Sequence, residues 1–137
     1  MGNYKNILEL GTYLGYSTLG MALTTSGTIT TIDKDDQFVK KAFMFWEKSN
    51  VSHKIKYIRG IALDEIEKLP LNSFDMIFVD ADKTNNIKYY EKCKSLLSGD
   101  GTLIFDSGNA FENVIANRSP EVFNANGGVS ELSLIHI

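Results

Sequence analysis

The chemistry-bearing residues of this 137-residue chain gather in a few short stretches. The densest is Phe78-Val79-Asp80-Ala81-Asp82-Lys83, where two carboxylates and an amine follow the apolar run 74–79. Charges at the end of an apolar strand need a partner or a task. Carboxylate oxygens are hard ligands suited to Mg²⁺, Ca²⁺ or Mn²⁺, and a lysine beside a cation and low-dielectric walls has a depressed pKa that suits a base. The competing account is an acid-capped helix start with a solvated Lys83. A further acid, Asp106, ends the run 102–105 and is followed by Ser107. Two neighbouring strands that both end in Asp can share one cation.

Near the start stands Glu9-Leu10-Gly11-Thr12-Tyr13-Leu14-Gly15-Tyr16-Ser17. Glycines at a strand-to-helix turn take positive φ and let the backbone approach a ligand, and the helix that follows offers free N–H groups. The spacing is not the dinucleotide pattern G-x-G-x-x-G, and an acid ahead of the glycines suits an ammonium better than a pyrophosphate. A plain tight turn explains Gly11 and Gly15 equally well. Asp33 follows the next β-rich run, where an acid in a wound α/β sheet accepts hydrogen bonds from both ribose hydroxyls. Capping of the next helix by Asp33, Asp35 and Asp36 competes with that role, and Asp36 is expected to cap. Small residues in Gly60-Ile61-Ala62 could admit a flat ring.

These stretches sit between elements that alternate in type. Short runs rich in Ile, Val, Phe or Thr at 6–10, 28–32, 55–59, 74–79 and 102–105 read as strands, and helical spacing over 17–24, 36–49, 62–68 and 85–97 reads as helices. Phe38, Ala42 and Trp46 mark one apolar face, and Ile87, Tyr90 and Leu97 another. Strands alternating with helices predict a doubly wound, mainly parallel α/β sheet of about five strands. Ligands then bind beyond the carboxyl ends of the strands. With 14 Lys and Arg against 17 Asp and Glu, the net charge of −3 has the wrong sign for neutralising phosphates, so nucleic acid is not an expected partner. One cysteine, Cys93, cannot form an internal disulfide. No apolar run approaches the roughly 20 residues of a membrane span and no signal peptide opens the chain, so no membrane partner and a cytoplasmic site are expected.

The sequence resembles the cation-dependent O-methyltransferases among class I S-adenosylmethionine enzymes, the group of caffeoyl-CoA and catechol O-methyltransferases. The likeness runs from about Ile7 to Phe111 and is strongest over Leu8-Glu9-Leu10-Gly11-Thr12-Tyr13-Leu14-Gly15-Tyr16-Ser17 and Phe74-Asp75-Met76-Ile77-Phe78-Val79-Asp80-Ala81-Asp82-Lys83. It implies a Rossmann-like methyltransferase domain over residues 1–131, incomplete at both ends. Glu9, Gly11, Thr12 and Ser17 would line the methionine and ribose side of S-adenosylmethionine. Asp33 would hold the ribose, Ala62 would lie by the adenine and Asp82 would face the cofactor. Asp80 and Asp106 resemble ligands of a divalent cation, Mg²⁺ by preference, and Lys83 matches the catalytic base. Where the family has Asp-Asn, this chain has Asp106-Ser107, which weakens the expected metal site; Asn109 could offer a substitute carbonyl. A homodimer is implied for the full-length protein. Residues 132–137, Leu-Ser-Leu-Ile-His-Ile, resemble the translation of a sequencing-library adapter and are expected to be non-native, so His136 is given no role.

The expected reaction is in-line methyl transfer to a hydroxyl of a catechol-like small molecule, with a divalent cation holding a vicinal diol and Lys83 removing the proton. A nicotinamide-dependent dehydrogenase shares the sheet and the ribose-binding acid, but the glycine spacing opposes it. A non-catalytic cofactor-binding module is the other alternative, on the strength of Ser107 and the short chain. His53 is expected to be solvated, Cys93 to be packed, and Trp46 and Phe43 to cover the sheet.

Overall fold

The computed structural model describes residues 4–80 and 85–105 and the backbone of 121–124. In chain order the elements are β1 (Asn6–Leu10), α1 (Tyr16–Thr24), β2 (Thr28–Asp33), α2 (Val39–Lys48), β3 (Ile55–Arg59), α3 (Ala62–Glu65), β4 (Phe74–Val79), α4 (Asn86–Lys94), β5 (Leu97–Phe105) and β6 (Glu121–Asn124). They form one sheet in the order β3-β2-β1-β4-β5-β6. The first five strands are parallel, and β6 pairs antiparallel with β5. The chain winds outward from β1 to β3 and returns to β4 on the other side of β1. The winding therefore reverses between β1 and β4, where wound sheets place ligands.

Both sheet faces are covered, which is why the strands read as nearly continuous apolar runs. Leu8, Leu10, Ile77, Val79, Leu103 and Phe105 point to one side and pack with Tyr89, Cys93 and Leu96. Ile7, Ile29, Met76, Phe78 and Ile104 point to the other and pack with Met21, Ala22, Ala42 and Trp46. Alternation along β1 thus sets Glu9 on the same side as Ile7, facing α1.

Several local expectations change. A sixth strand covers the edge of β5, where the sequence suggested none. Strand β5 starts at Leu97, paired with Phe74 ahead of a register irregularity; Gly99 and Gly101 mask this early segment in the sequence. On α4 the buried residues are Tyr89 and Cys93, followed by Leu96, whereas Ile87 is 80% exposed. Helix α2 starts at Val39, and Asp36 caps nothing with its side chain: it pairs with Arg59 at 3.3 Å, while Asp35 accepts the Gln37 N–H at 2.9 Å. The stretch 62–68 is α3 followed by the 3-10 turn Ile66–Lys68. No helix among the described residues is long and apolar enough to cross a membrane.

Candidate functional site

The turn after β1 is shaped by close backbone packing. Gly11 has φ +105°, and a Cβ there would lie 2.2 Å from the Asp80 carbonyl oxygen. Its N–H donates to the Ile32 carbonyl at 2.8 Å, and the Asp80 N–H donates to the Leu10 carbonyl at 2.8 Å. The ends of β1, β2 and β4 are thereby laced together by main chain. Gly15 has φ +80°, and a Cβ there would lie 2.6 Å from the Ala42 Cβ and 3.0 Å from the Trp46 ring. Trp46, fully buried, donates its indole N–H to the Gly15 carbonyl at 3.1 Å. Both glycines are demanded by neighbours in the fold, and the exposed turn between them is shaped as a result.

Asp33 does two things at once. Its carboxylate accepts the Tyr13 N–H at 2.8 Å and the Asp35 N–H at 3.1 Å, which ties the glycine turn to the end of β2. It also lines a cavity of about 310 Å³ together with Gly11, Ile32, Ile61, Ala62 and Leu63, closed further by Phe38, Asn85 and Tyr89. Two carboxylate oxygens have about four acceptor positions, so two backbone donors leave room for a ligand's hydroxyls. The segment after β3 supplies an aliphatic wall of Ile61, Ala62 and Leu63.

Glu9 and Thr12 lie beneath the turn. Neither lines the cavity. The Glu9 side chain is wholly buried under the turn, where it accepts the hydroxyls of Thr18 and, at 2.7 Å, Thr31. Thr12 is buried beside it, its hydroxyl 2.7 Å from that of Thr31. Burial pushes the Glu9 carboxyl up to about 7, against the pull of the two hydroxyl bonds and with a smaller push from the Asp33 charge. The physical reason is the strand's alternation: residue 9 projects from the face of the sheet, not from its carboxyl edge. Ser17 is exposed on the first turn of α1, which has no side-chain cap and no acidic residue there.

Of the other expected residues, Asp80 stands half-buried at the carboxyl end of β4. Asp82, Lys83, Asp106, Ser107 and Asn109 lie outside the described residues, as does His136. Among the described residues no group of three or more His, Cys, Asp or Glu could hold a metal ion. His53 is exposed. Cys93 is buried and its thiol is pushed up to about 12 by burial, so it is inert. Phe43 lies edge-on to Trp46 and Tyr57, with ring centroids 5.0 and 5.9 Å away. Nothing in the sequence marks Phe38, Asn85 and Tyr89 as cavity walls, because their spacing signals only helices.

A glycine turn of this shape beside a strand-end acid is shared with known proteins built the same way. The sequence profile of the O-methyltransferase family matches residues 1–126. The chain belongs to that family. The tapetum-specific methyltransferase 1 of Arabidopsis thaliana is 38% identical over 110 residues, which is 77% of this chain and 47% of that protein. The caffeoyl-CoA O-methyltransferase of Pinus taeda is 35% identical over 112 residues, 77% of this chain and 43% of that protein. Among solved structures, the O-methyltransferase of Bacillus cereus in complex with SAH superimposes with a TM-score of 0.70 at 34% identity, covering 85% of this chain and 56% of that one. This O-methyltransferase-family chain thus spans about half the length of the curated relatives it matches. The fold is the Rossmann-like sheet of those enzymes, and the dehydrogenase alternative loses its footing.

Proposed function

We propose that this chain is the cofactor-binding part of an S-adenosylmethionine-dependent O-methyltransferase. The observation that carries the reading is the cavity between Asp33 and the wall of Ile61, Ala62 and Leu63 at the sheet's switch point. Its volume of about 310 Å³ falls at the lower end of the roughly 300–1,000 Å³ typical of small-molecule sites. The donor set fits an adenosine: a carboxylate for two ribose hydroxyls and an aliphatic wall, with Ala62, for a flat ring. Ser17 and the uncapped N–H groups of α1 suit a ligand carboxylate. Glu9 and Thr12 support the turn from beneath.

Bound S-adenosylmethionine supplies an electrophilic methyl group on a sulfonium. The protein's task is to align an acceptor oxygen with that methyl and remove its proton. Lys83 is assigned the proton, and Asp82 a contact to the cofactor. The acceptor class is a small molecule with a catechol-like hydroxyl, by analogy with the relatives named caffeoyl-CoA O-methyltransferases. A divalent cation, Mg²⁺ by the hardness of its oxygen donors, would be held by Asp80, Asp106 and Ser107 and would lower the pKa of a bound hydroxyl. A homodimer is proposed for the longer protein.

Isothermal titration of the chain with S-adenosylhomocysteine and with NAD tests the reading. Binding of the first alone is expected, and binding of NAD alone would reverse it. In the full gene product, EDTA should abolish methyl transfer and Mg²⁺ restore it; cofactor binding with no transfer under any condition would favour a non-catalytic module.

A further inference from the structure

Glu9 is the only acidic or basic side chain in the buried interior among the described residues, and its two oxygens are treated unequally. Oε1 accepts the hydroxyls of Thr18 on α1 and Thr31 on β2. Because Thr31 gives its single proton to Glu9, Thr12 must be the donor in the 2.7 Å contact between the Thr12 and Thr31 hydroxyls. All three hydroxyl protons therefore run toward Oε1. Oε2 is buried with no hydrogen-bond partner among the described residues.

The surroundings oppose a negative charge at this point. Neither α1 nor the rest of β1 has a charged residue, and β2 ends in Asp33, whose carboxylate repels a second one. Helix α2 carries Lys40, Lys41, Glu47 and Lys48, but its buried residues are Val39, Ala42 and Trp46. On β4, Asp75 is held at the far end by the N–H groups of Lys5 and Asn6, and Asp80 follows the strand. An ionised Glu9 would thus have one solvated-equivalent oxygen and one orphan in a dry interior, which is costly.

We propose that Glu9 is a positioning residue for the cofactor: as an uncharged acid, with Thr12, Thr18 and Thr31, it fastens the Gly11–Gly15 turn to α1 and β2, and ionisation loosens the turn. The cofactor clause rests on the function proposed above; the loop clause stands without it. The burial that raises this carboxyl to about 7 puts the transition within reach of ordinary buffers. A direct attraction between Glu9 and a ligand ammonium predicts the opposite sign, with affinity rising as Glu9 ionises.

The chain provides its own reporter, because its single tryptophan, Trp46, bonds the Gly15 carbonyl. Trp46 emission of the unliganded chain and its affinity for S-adenosylhomocysteine should be followed from about pH 5.5 to about pH 8.5 in the wild type, Glu9→Gln and Thr31→Val. Emission of the wild type should change with a midpoint near that of Glu9, and affinity relative to Glu9→Gln should fall about tenfold across the range, the effect of a one-unit linked pKa difference. Taking the ratio cancels the ligand's own titration. Glu9→Gln, close in shape, should show neither change. Thr31→Val removes a donor that favours the charged form, so its midpoint should move upward. The same profile in Glu9→Gln as in the wild type, or a relative affinity that rises with pH, would overturn the proposal. A Trp46 transition lost in Glu9→Gln without ligand binding at any pH would support the loop's dependence on Glu9 and sink the cofactor reading instead.

Discussion

The carboxyl ends of β1 and β2 are held by main chain, to which Asp80 at the end of β4 also contributes, whereas the side chains assigned the chemistry follow β4 and β5. On the first side, Gly11 and Gly15 are locked by the Asp80 carbonyl, Ala42 and Trp46, and Asp33 is engaged by two N–H groups. The shape of the cavity there follows from packing that the core requires in any case. On the second side, the assigned base, Lys83, and the assigned cation ligands Asp106 and Ser107 follow strands whose last three residues are apolar. Binding and reactivity are therefore separable: a change on one side should alter affinity and stability, and a change on the other should alter turnover.

The largest effect should come from the β4 side. Lys83→Ala in the full gene product should lower kcat by about 10²–10⁴-fold, the usual contribution of a positioned acid or base, with S-adenosylhomocysteine affinity little changed by calorimetry. Equal losses in turnover and affinity would erase the division between the two sides. On the β1 side, Gly11→Ala forces a side chain into positive φ and to within 2.2 Å of a backbone oxygen that is itself fixed. Destabilisation of about 3 kcal/mol or more is expected from strain and overpacking combined, read from urea unfolding, together with loss of cofactor binding. A stable, binding-competent Gly11→Ala would show that the lacing of β1 to β4 is dispensable.

What the sequence disclosed and what it hid divide along the same line of reasoning. Strands β1 and β4 are legible to the residue because each is a short, mostly apolar run buried on both faces and bounded by turn residues, and the edge strand β3 is legible because Ile55, Tyr57 and Ile58 are β-formers between the turns at 50–54 and Gly60. The face of α4 is misjudged because Tyr90 and Tyr89 are adjacent and identical in type; only the sheet decides which one turns inward. The place of Asp33 at the end of β2, on the cavity, is legible because periodicity gives strand ends directly. The burial of Glu9 is not legible, because a motif reports proximity to a turn but not the side of the sheet. Two threonines, 9 and 22 residues beyond it, supply its partners, and a third, Thr12, bonds the second of these; such hydroxyls are indistinguishable in sequence from exposed strand and helix residues.

That buried acid also gives the smaller but most discriminating measurement. The Glu9 carboxyl lies near its ordinary 4.5 in the unfolded chain and is pushed up to about 7 in the folded one. Between those values the native state keeps a proton that the unfolded state has released, so this group's contribution to stability is fully present below about 4.5 and is lost as pH rises through about 7. The whole interval corresponds to about 3 kcal/mol at most, and relaxation around the carboxyl would reduce it. Urea unfolding at a series of pH values should therefore show wild-type stability declining over this window relative to Glu9→Gln, whose side chain does not titrate. Parallel curves for the two proteins would mean that Glu9 is solvated or paired in the native state, and the turn over it would then owe its shape to Gly11, Gly15 and Trp46 alone. A diverging pair would instead assign part of the binding side's rigidity to a proton held beneath the backbone lacing, in a region where no ligand contact is needed to retain it.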